Sequence, residues 1–275
     1  MAQQYQRSAP YQIAARPPQT RGITGRRATP AWPWFVLTVV LGLLCWKAIV
    51  VVQQYPAFVL PAPDLVLSRL ALELSQGTMP QHALTTLSEA VGGFSIALAV
   101  SLVLGYVLAH APRLERVVAP QIAATQAVPI VAIAPLIILW VGNDIRARIL
   151  VAALVTFFPI LSSTIVALRA VPRELLEMAR ISGASRWQAL WLVELPLALR
   201  GIFGGVKAGL ALATTGAVVG EFVGGRDGLG ALINIARGLF DTPLMFAALA
   251  LLAAMTLGMY VLAIGLERTL VRWEE

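Results

Sequence analysis

The chain has 275 residues, 58% of them apolar and only 13% charged, with a mean hydropathy of +0.78. Soluble domains carry about 25% charged residues, so the composition is that of a membrane protein, and the length suits one polytopic bundle. The formal charge is +7 and 19 of the 21 cations are Arg. They lie in loops beside apolar runs rather than on one basic face, which argues against a nucleic-acid partner.

Residues 1–33 hold five Arg, five Pro and no acid. The first apolar run starts only at Trp34 and is too long for a secretory leader. An uncleaved, disordered, basic cytoplasmic tail is therefore expected over 1–33, followed by a membrane domain over 34–275. Crossing the hydrocarbon takes about 20 apolar residues per helix. Six stretches qualify, near 34–53, 87–109, 117–141, 149–168, 201–223 and 245–264.

The first span contains the single cysteine, Cys45. One cysteine excludes an internal disulfide and a cysteine-based metal site, and in an apolar run it reads as a small buried hydrophobe. Lys47 reads as a residue reaching the interface. Between the first two spans, Pro61 and Pro63 stop one element. Asp64 is placed to cap a short amphipathic helix turning Leu65, Leu67, Leu70, Ala71 and Leu74 toward the bilayer or bundle. His82 and His110 lie far apart with no partner spacing, so no metal is assigned to either.

The third span reads "AVPIVAIAPLIILW" within one continuous helix over 117–141. Pro129 and Pro135 each remove an amide hydrogen and clash one turn back, and the freed carbonyls need protein or water partners. Either the helix lines a pathway or the prolines are tolerated kinks.

A polar stretch follows the fourth span. Arg173, Glu174, Glu177 and Arg180 share one helical face. Pro172 suits a first helical position and Gly183 a turn after the helix. Ser185 and Gln188 form a capping box for a second helix that offers Trp187, Leu190 and Trp191. Such a unit either lies on the membrane surface or docks a cytoplasmic partner.

In the fifth span Gly201, Gly205, Gly209, Ala213 and Ala217 recur every fourth residue, a ridge that lets another helix approach closely. Lys207 is expected to reach the cytoplasm, since it lies about 10 Å from the inner helix end. Its "GGVKAG" context lacks the phosphate-loop pattern, so no nucleotide site is assigned. Gly216 and Gly220 are expected to loosen the outer helix end. Glu221 there either faces water or pairs with Arg226.

With the N-terminus inside, the inner segments contain 14 Arg and the outer ones 5. This bias follows the positive-inside rule and places both termini, and the 177–196 stretch, in the cytoplasm.

That stretch resembles the EAA loop of permeases in bacterial ATP-binding cassette importers: Glu-Ala-Ala-x-x-x-Gly, nine residues, then Ile-x-Leu-Pro. Glu177, Met178, Ala179, Gly183, Val193, Leu195 and Pro196 stand at every required position, with apolar Met178 and Val193 as the departures. "FVLPAPDLVL", "VPIVAIAPLIILWVG" and "GEFVGGRDGLGALI" resemble landmarks of the nitrate, sulfonate, taurine and bicarbonate branch. "TTGAVVGEFVGG" is more similar to its permeases for riboflavin and the pyrimidine precursor of thiamine. Gly142-Asn143-Asp144 departs from the branch's Gly-x-Gly.

The resemblance implies an all-α membrane protein of six transmembrane helices. It implies the type I importer permease fold, with a cytoplasmic coupling helix between spans 4 and 5. It implies a bacterial cytoplasmic-membrane subunit without a cofactor or a catalytic residue, ATP being hydrolysed by a separate pair of ATPase subunits. An outside binding protein delivers substrate to a pathway between two permease subunits, taken here as two copies of this chain. Glu177, Ala179, Gly183, Leu195 and Pro196 become the ATPase-coupling residues. Pro129, Pro135, Gly216, Gly220 and Glu221 become the pathway or gate candidates.

A secondary transporter or channel is the competing class. It would be expected to show an inverted repeat or ionisable residues near the midplane, and neither is visible. Nor do clustered His, Cys or carboxylates point to a membrane enzyme. Beyond Lys207 the spans offer no fixed cation for an inorganic anion. An aromatic heterocycle is therefore the expected substrate, with a small anion such as a sulfonate, taurine, nitrate or bicarbonate as the alternative.

Overall fold

A computed structural model describes residues 32–271, so most of the expected tail lies outside the described residues. Residues up to Leu44 and residues from Cys45 onward group as separate compact units. The first helix, α1 (Trp32–Gln53), runs through that division. The described residues are helical, with no strand among them.

The second unit continues with α2 (Pro63–Gln76), α3 (Thr78–His110), α4 (Pro112–Ala127), α5 (Ile130–Val141) and α6 (Ile145–Arg169). Next come α7 (Arg173–Ile181), α8 (Arg186–Ala189) and a π-helical turn (Leu190–Glu194). Then follow α9 (Leu195–Gly224), α10 (Leu229–Gly238) and α11 (Thr242–Leu270). Five helices are long and apolar enough to cross a membrane, and α4 with α5 makes a sixth span if the bent pair counts as one.

The third span is not the continuous helix expected over 117–141. α4 ends at Ala127 and α5 starts at Ile130, with a bend of 95° between them. Pro129 is the cause. Its ring pushes the residue before it out of the helical region, and Val128 is extended at φ −90°, ψ 120°. Pro135 does sit inside a helix, as does Pro120.

The other long helices outrun their apolar segments, because hydrophobicity marks the membrane level and not the last hydrogen bond. α3 spans 33 residues, about 50 Å at the helical rise, against a hydrocarbon thickness of about 30 Å. The start of α6 accounts for Gly142-Asn143-Asp144. Gly142 takes φ +106°, and the Asp144 carboxylate accepts the amides of Arg146 (2.8 Å) and Ala147 (3.3 Å) as an N-cap.

The short helix after the first span exists but is built differently from expectation. Pro63 opens it and Asp64 makes no cap; Asp64 instead lies 3.6 Å from Lys47, both exposed. The buried face is Pro63, Val66 and Glu73, while Leu65, Leu67 and Leu74 are exposed. α2 and α10 close one end of the bundle over a core of Val66, Met79, Leu229, Leu232, Ile233 and Leu244. Arg69 on α2 ties this end together, reaching Glu73 at 3.1 Å and Asp241, the N-cap of α11, at 3.0 Å.

α6 and α9 share the most extensive helix interface, and α3 lies against both. Their contact is lined by small residues, including Ala90, Ala152, Ala213 and Ala217, all fully buried.

Candidate coupling and pathway sites

At one end of the bundle the chain leaves α6 and makes the two-helix unit expected from sequence. Pro172 stands one position earlier than expected, as the N-cap of α7. Gly183 adopts φ +84° after the helix. Its amide donates to Arg180 O and that of Ala184 to Ala179 O, each at 3.0 Å. This pair of hydrogen bonds closes the helix C-terminus and needs a left-handed residue, a conformation in which a Cβ is unfavourable. The capping box is present in both directions: Gln188 N donates to Ser185 Oγ at 3.3 Å, and Ser185 N to Gln188 Oε1 at 2.8 Å.

Glu177, Met178, Arg180, Ile181, Trp187 and Trp191 are all exposed, and Ile181 is 88% so. Ala179, Leu195 and Pro196 are half-buried beside them. The unit therefore combines a rigid backbone with uncovered charged and apolar side chains.

The π-helical turn fastens this unit to the bundle. It turns Glu194 inward, where the residue is 5% exposed and its carboxylate lies 3.1 Å from Nε2 of His110 at the end of α3. His110 Nδ1 is 2.9 Å from Tyr106 O. Nearby, Arg169 on α6 binds both carboxylate oxygens of Glu115 on α4.

The glycines of α9 lie against α6. A Cβ at Gly201 would stand 2.6 Å from Ala167 Cβ, at Gly205 2.5 Å from Ser163 Cβ, and at Gly209 2.8 Å from the Ile160 side chain. Gly216 and Gly220 continue this close approach, to the Cα atoms of Ala152 (2.7 Å) and Arg148 (3.1 Å). They are packing positions in this structure, where looseness was expected. Lys207 does not reach out to water alone; its ammonium lies 2.8 Å from Glu267 on α11.

At the far end of α9 Glu221 is neither wet nor paired with Arg226. It is 1% exposed, and its carboxylate accepts the Thr86 hydroxyl at 2.6 Å and the Gly230 amide at 2.5 Å. Thr86 in turn accepts from the Leu229 amide at 2.8 Å, and His82 Nδ1 accepts from the Gly228 amide at 2.9 Å. The glycines of "GGRDGLG" make this possible. Gly228 takes φ +113°, and a Cβ there or at Gly230 would collide with the Glu221 carboxyl.

A buried ion pair stands alongside: Arg148 Nε donates to Glu89 Oε1 at 2.5 Å, while Glu89 Oε2 is buried with no hydrogen-bond partner among the described residues. Sequence reading missed Glu89, Arg148, Thr86 and Glu194. Glu89 carried a usable signal, as a lone acid inside an apolar span. Arg148 was concealed by its place among loop cations.

Of the prolines, Pro129 borders a cavity of about 410 Å³ at the α4–α5 break, with Gln126, Phe157 and Leu212 among its walls. Pro135 does not line it. Among the described residues no group of His, Cys, Asp or Glu is arranged to hold a metal ion.

This is a membrane bundle with a rigid, uncovered two-helix unit between its fourth and fifth spans, the build of an importer's membrane subunit. The sequence profile of the family described as "Binding-protein-dependent transport system inner membrane component" matches residues 101–273, and the chain belongs to that family. It is a transporter permease subunit of the multi-pass inner-membrane type.

It is 63% identical over 245 residues to the riboflavin transport system permease protein RibX of Chloroflexus aurantiacus, covering 88% of this chain and 91% of that one. It is 32% identical to the formylaminopyrimidine transport permease protein ThiX of Halalkalibacterium halodurans, over 79% and 87% of the two chains. Among solved structures it is similar to the MetNI methionine ABC transporter, with a TM-score of 0.63 at 20% identity over 73% of this chain and 99% of that one. That likeness is one of fold, the type I importer permease fold.

Proposed function

We propose that this chain forms the membrane pathway of an importer for riboflavin or a closely similar flat heterocycle. The observation behind this reading is the 63% identity with a riboflavin permease across nearly the whole of both chains. The pyrimidine-type permease at 32% points to the same chemical class.

In this reading two copies of the chain enclose the pathway. A separate pair of ATPase subunits docks on α7, α8 and the turn between them, where Glu177, Gly183 and the exposed Trp187 and Trp191 offer a rigid mixed surface. A binding protein delivers substrate at the α2–α10 end. The Arg bias supports cytoplasmic termini.

The test is ATP-driven uptake of labelled riboflavin into vesicles holding the permease with its ATPase and binding protein. Unlabelled flavin is expected to compete, and nitrate, bicarbonate or an alkylsulfonate is not. Competition by those anions alone would reject the heterocycle reading in favour of the anion one.

A further inference from the structure

The break between α4 and α5 opens into the 410 Å³ cavity, a size within the usual range of about 300–1,000 Å³ for small-molecule sites. Its walls are apolar apart from Thr125 and Gln126. The Thr125 hydroxyl donates to Ile122 O at 2.6 Å. Gln126 is exposed and lines the cavity, and its side chain makes no hydrogen bond among the described residues. A helix break also leaves carbonyls at the end of α4 and amides at the start of α5 without intrahelical partners; the Ala132 amide donates to Pro129 O at 2.9 Å, and no side chain caps α5. Phe157 from α6 supplies an aromatic wall, and Leu212 from α9 an aliphatic one.

These features select an occupant. A lipid chain would leave the Gln126 amide and the broken helix's backbone groups unpaired at membrane depth, where such groups need partners. A hydrated anion would be stripped against apolar walls with no cation in the lining. A flat ring system with two apolar faces and an amide-like edge satisfies both kinds of wall. Its face packs on Phe157, and its edge exchanges donor and acceptor with Gln126, which offers one of each.

We infer that this cavity is a substrate-holding site of the permease itself, with Gln126 and Phe157 as its specificity-determining residues for a flat heterocycle. The inference rests on the heterocycle reading above and adds a place for it.

The experiment uses the full complex of permease, ATPase and binding protein in vesicles, with riboflavin as the probe. Gln126→Leu and Phe157→Leu are each expected to lower ATP-driven uptake about tenfold, the effect of one well-placed hydrogen bond or ring contact. Phe157→Tyr, which keeps the aromatic face, is expected to retain uptake. So is Leu139→Ala, on an exposed α5 position outside the lining. A benzophenone side chain placed at 126 should crosslink to labelled riboflavin during turnover, and one at 139 should not. Wild-type uptake with both Leu variants at wild-type rates and no crosslink at 126 would overturn the site while leaving the transport reading intact. Failure of the wild-type complex to take up riboflavin would overturn the transport reading instead.

Discussion

Replacing Glu221 by Ala tests whether a buried carboxylate holds the 225–230 segment to the bundle. Three side-chain hydrogen bonds fasten that segment, from Gly228 N to His82, Leu229 N to Thr86 and Gly230 N to Glu221, and Thr86 Oγ1 in turn donates to Glu221. The Ala variant removes the two bonds that end on Glu221 and leaves the Gly230 amide buried without a partner. A hydrogen bond contributes about 0.5–1.5 kcal/mol, and a buried donor left unsatisfied costs about 1–3 kcal/mol. Thr86 keeps an alternative acceptor in His82 O, at 3.2 Å, which lowers its share. A net loss of about 2 kcal/mol follows, raising the open population of the segment about 30-fold.

Arg226 lies inside the segment and provides the assay. When opening and closing outpace cleavage, proteolysis follows the open population, so tryptic cleavage after Arg226 in the purified protein should accelerate by about that factor. Glu221→Gln keeps one acceptor and should fall between. Equal cleavage rates for wild type and Glu221→Ala would refute the anchoring role.

Gly205→Val should destabilise the protein by several kcal/mol in thermal unfolding, since even its Cβ meets Ser163 at 2.5 Å and Pro159 O at 3.1 Å and a packed core resists added volume. Gly204→Ala, one residue away with nothing within 4 Å, should instead be neutral or stabilising by about 0.5–1 kcal/mol through helix propensity. Glu177→Arg and Gly183→Val should insert normally yet lose ATPase subunits on purification and lose uptake; at Gly183 the cause is φ alone, because a Cβ there meets nothing within 4 Å. Retention of both would reject the docking assignment. A phosphatase or fluorescent reporter after Glu275 should report cytoplasm and one near Gln76 the outside, and the reverse pattern would overturn the orientation.

The parts of the fold that were legible in sequence are those written in local signals. Five of the six apolar runs, the Ser185–Gln188 capping box and the Gly183 turn depend on residues a few positions apart, and each is found where those residues put it. What was illegible depends on residues far apart in the chain. Glu221 meets Thr86 across 135 positions, and nothing near Glu221 announces that partner. Its neighbouring glycines read as flexibility, although their lack of a side chain is what lets the backbone close on the carboxylate. Pro129 shows an intermediate case: the proline announces a disturbance, but whether a helix kinks or breaks depends on the packing around it.

The two side-chain ties between α3 and α9 together define what can move. His110 at the end of α3 lies 3.1 Å from Glu194 at the start of α9, and Thr86 near the start of α3 holds Glu221 near the end of α9 at 2.6 Å. The antiparallel pair is thus pinned at both ends, and the glycine ridge locks α9 to α6 between them. α4 differs. None of its residues is buried, and its link to α6 is the partly exposed Arg169–Glu115 pair, a kind of contact that contributes about 0–1 kcal/mol. A push delivered through α7 should then displace α3, α6 and α9 as one body, with α4 swinging about the break at Val128–Pro129. Spin labels test this in a Cys45→Ser background. The distance between labels at exposed Val103 on α3 and Leu197 on α9 should stay constant between the nucleotide-free and ATP-bound complex. The distance from Leu197 to exposed Val117 on α4 should change by several ångströms. A change in the first pair with none in the second would show that α9 is not the rigid rod these contacts describe.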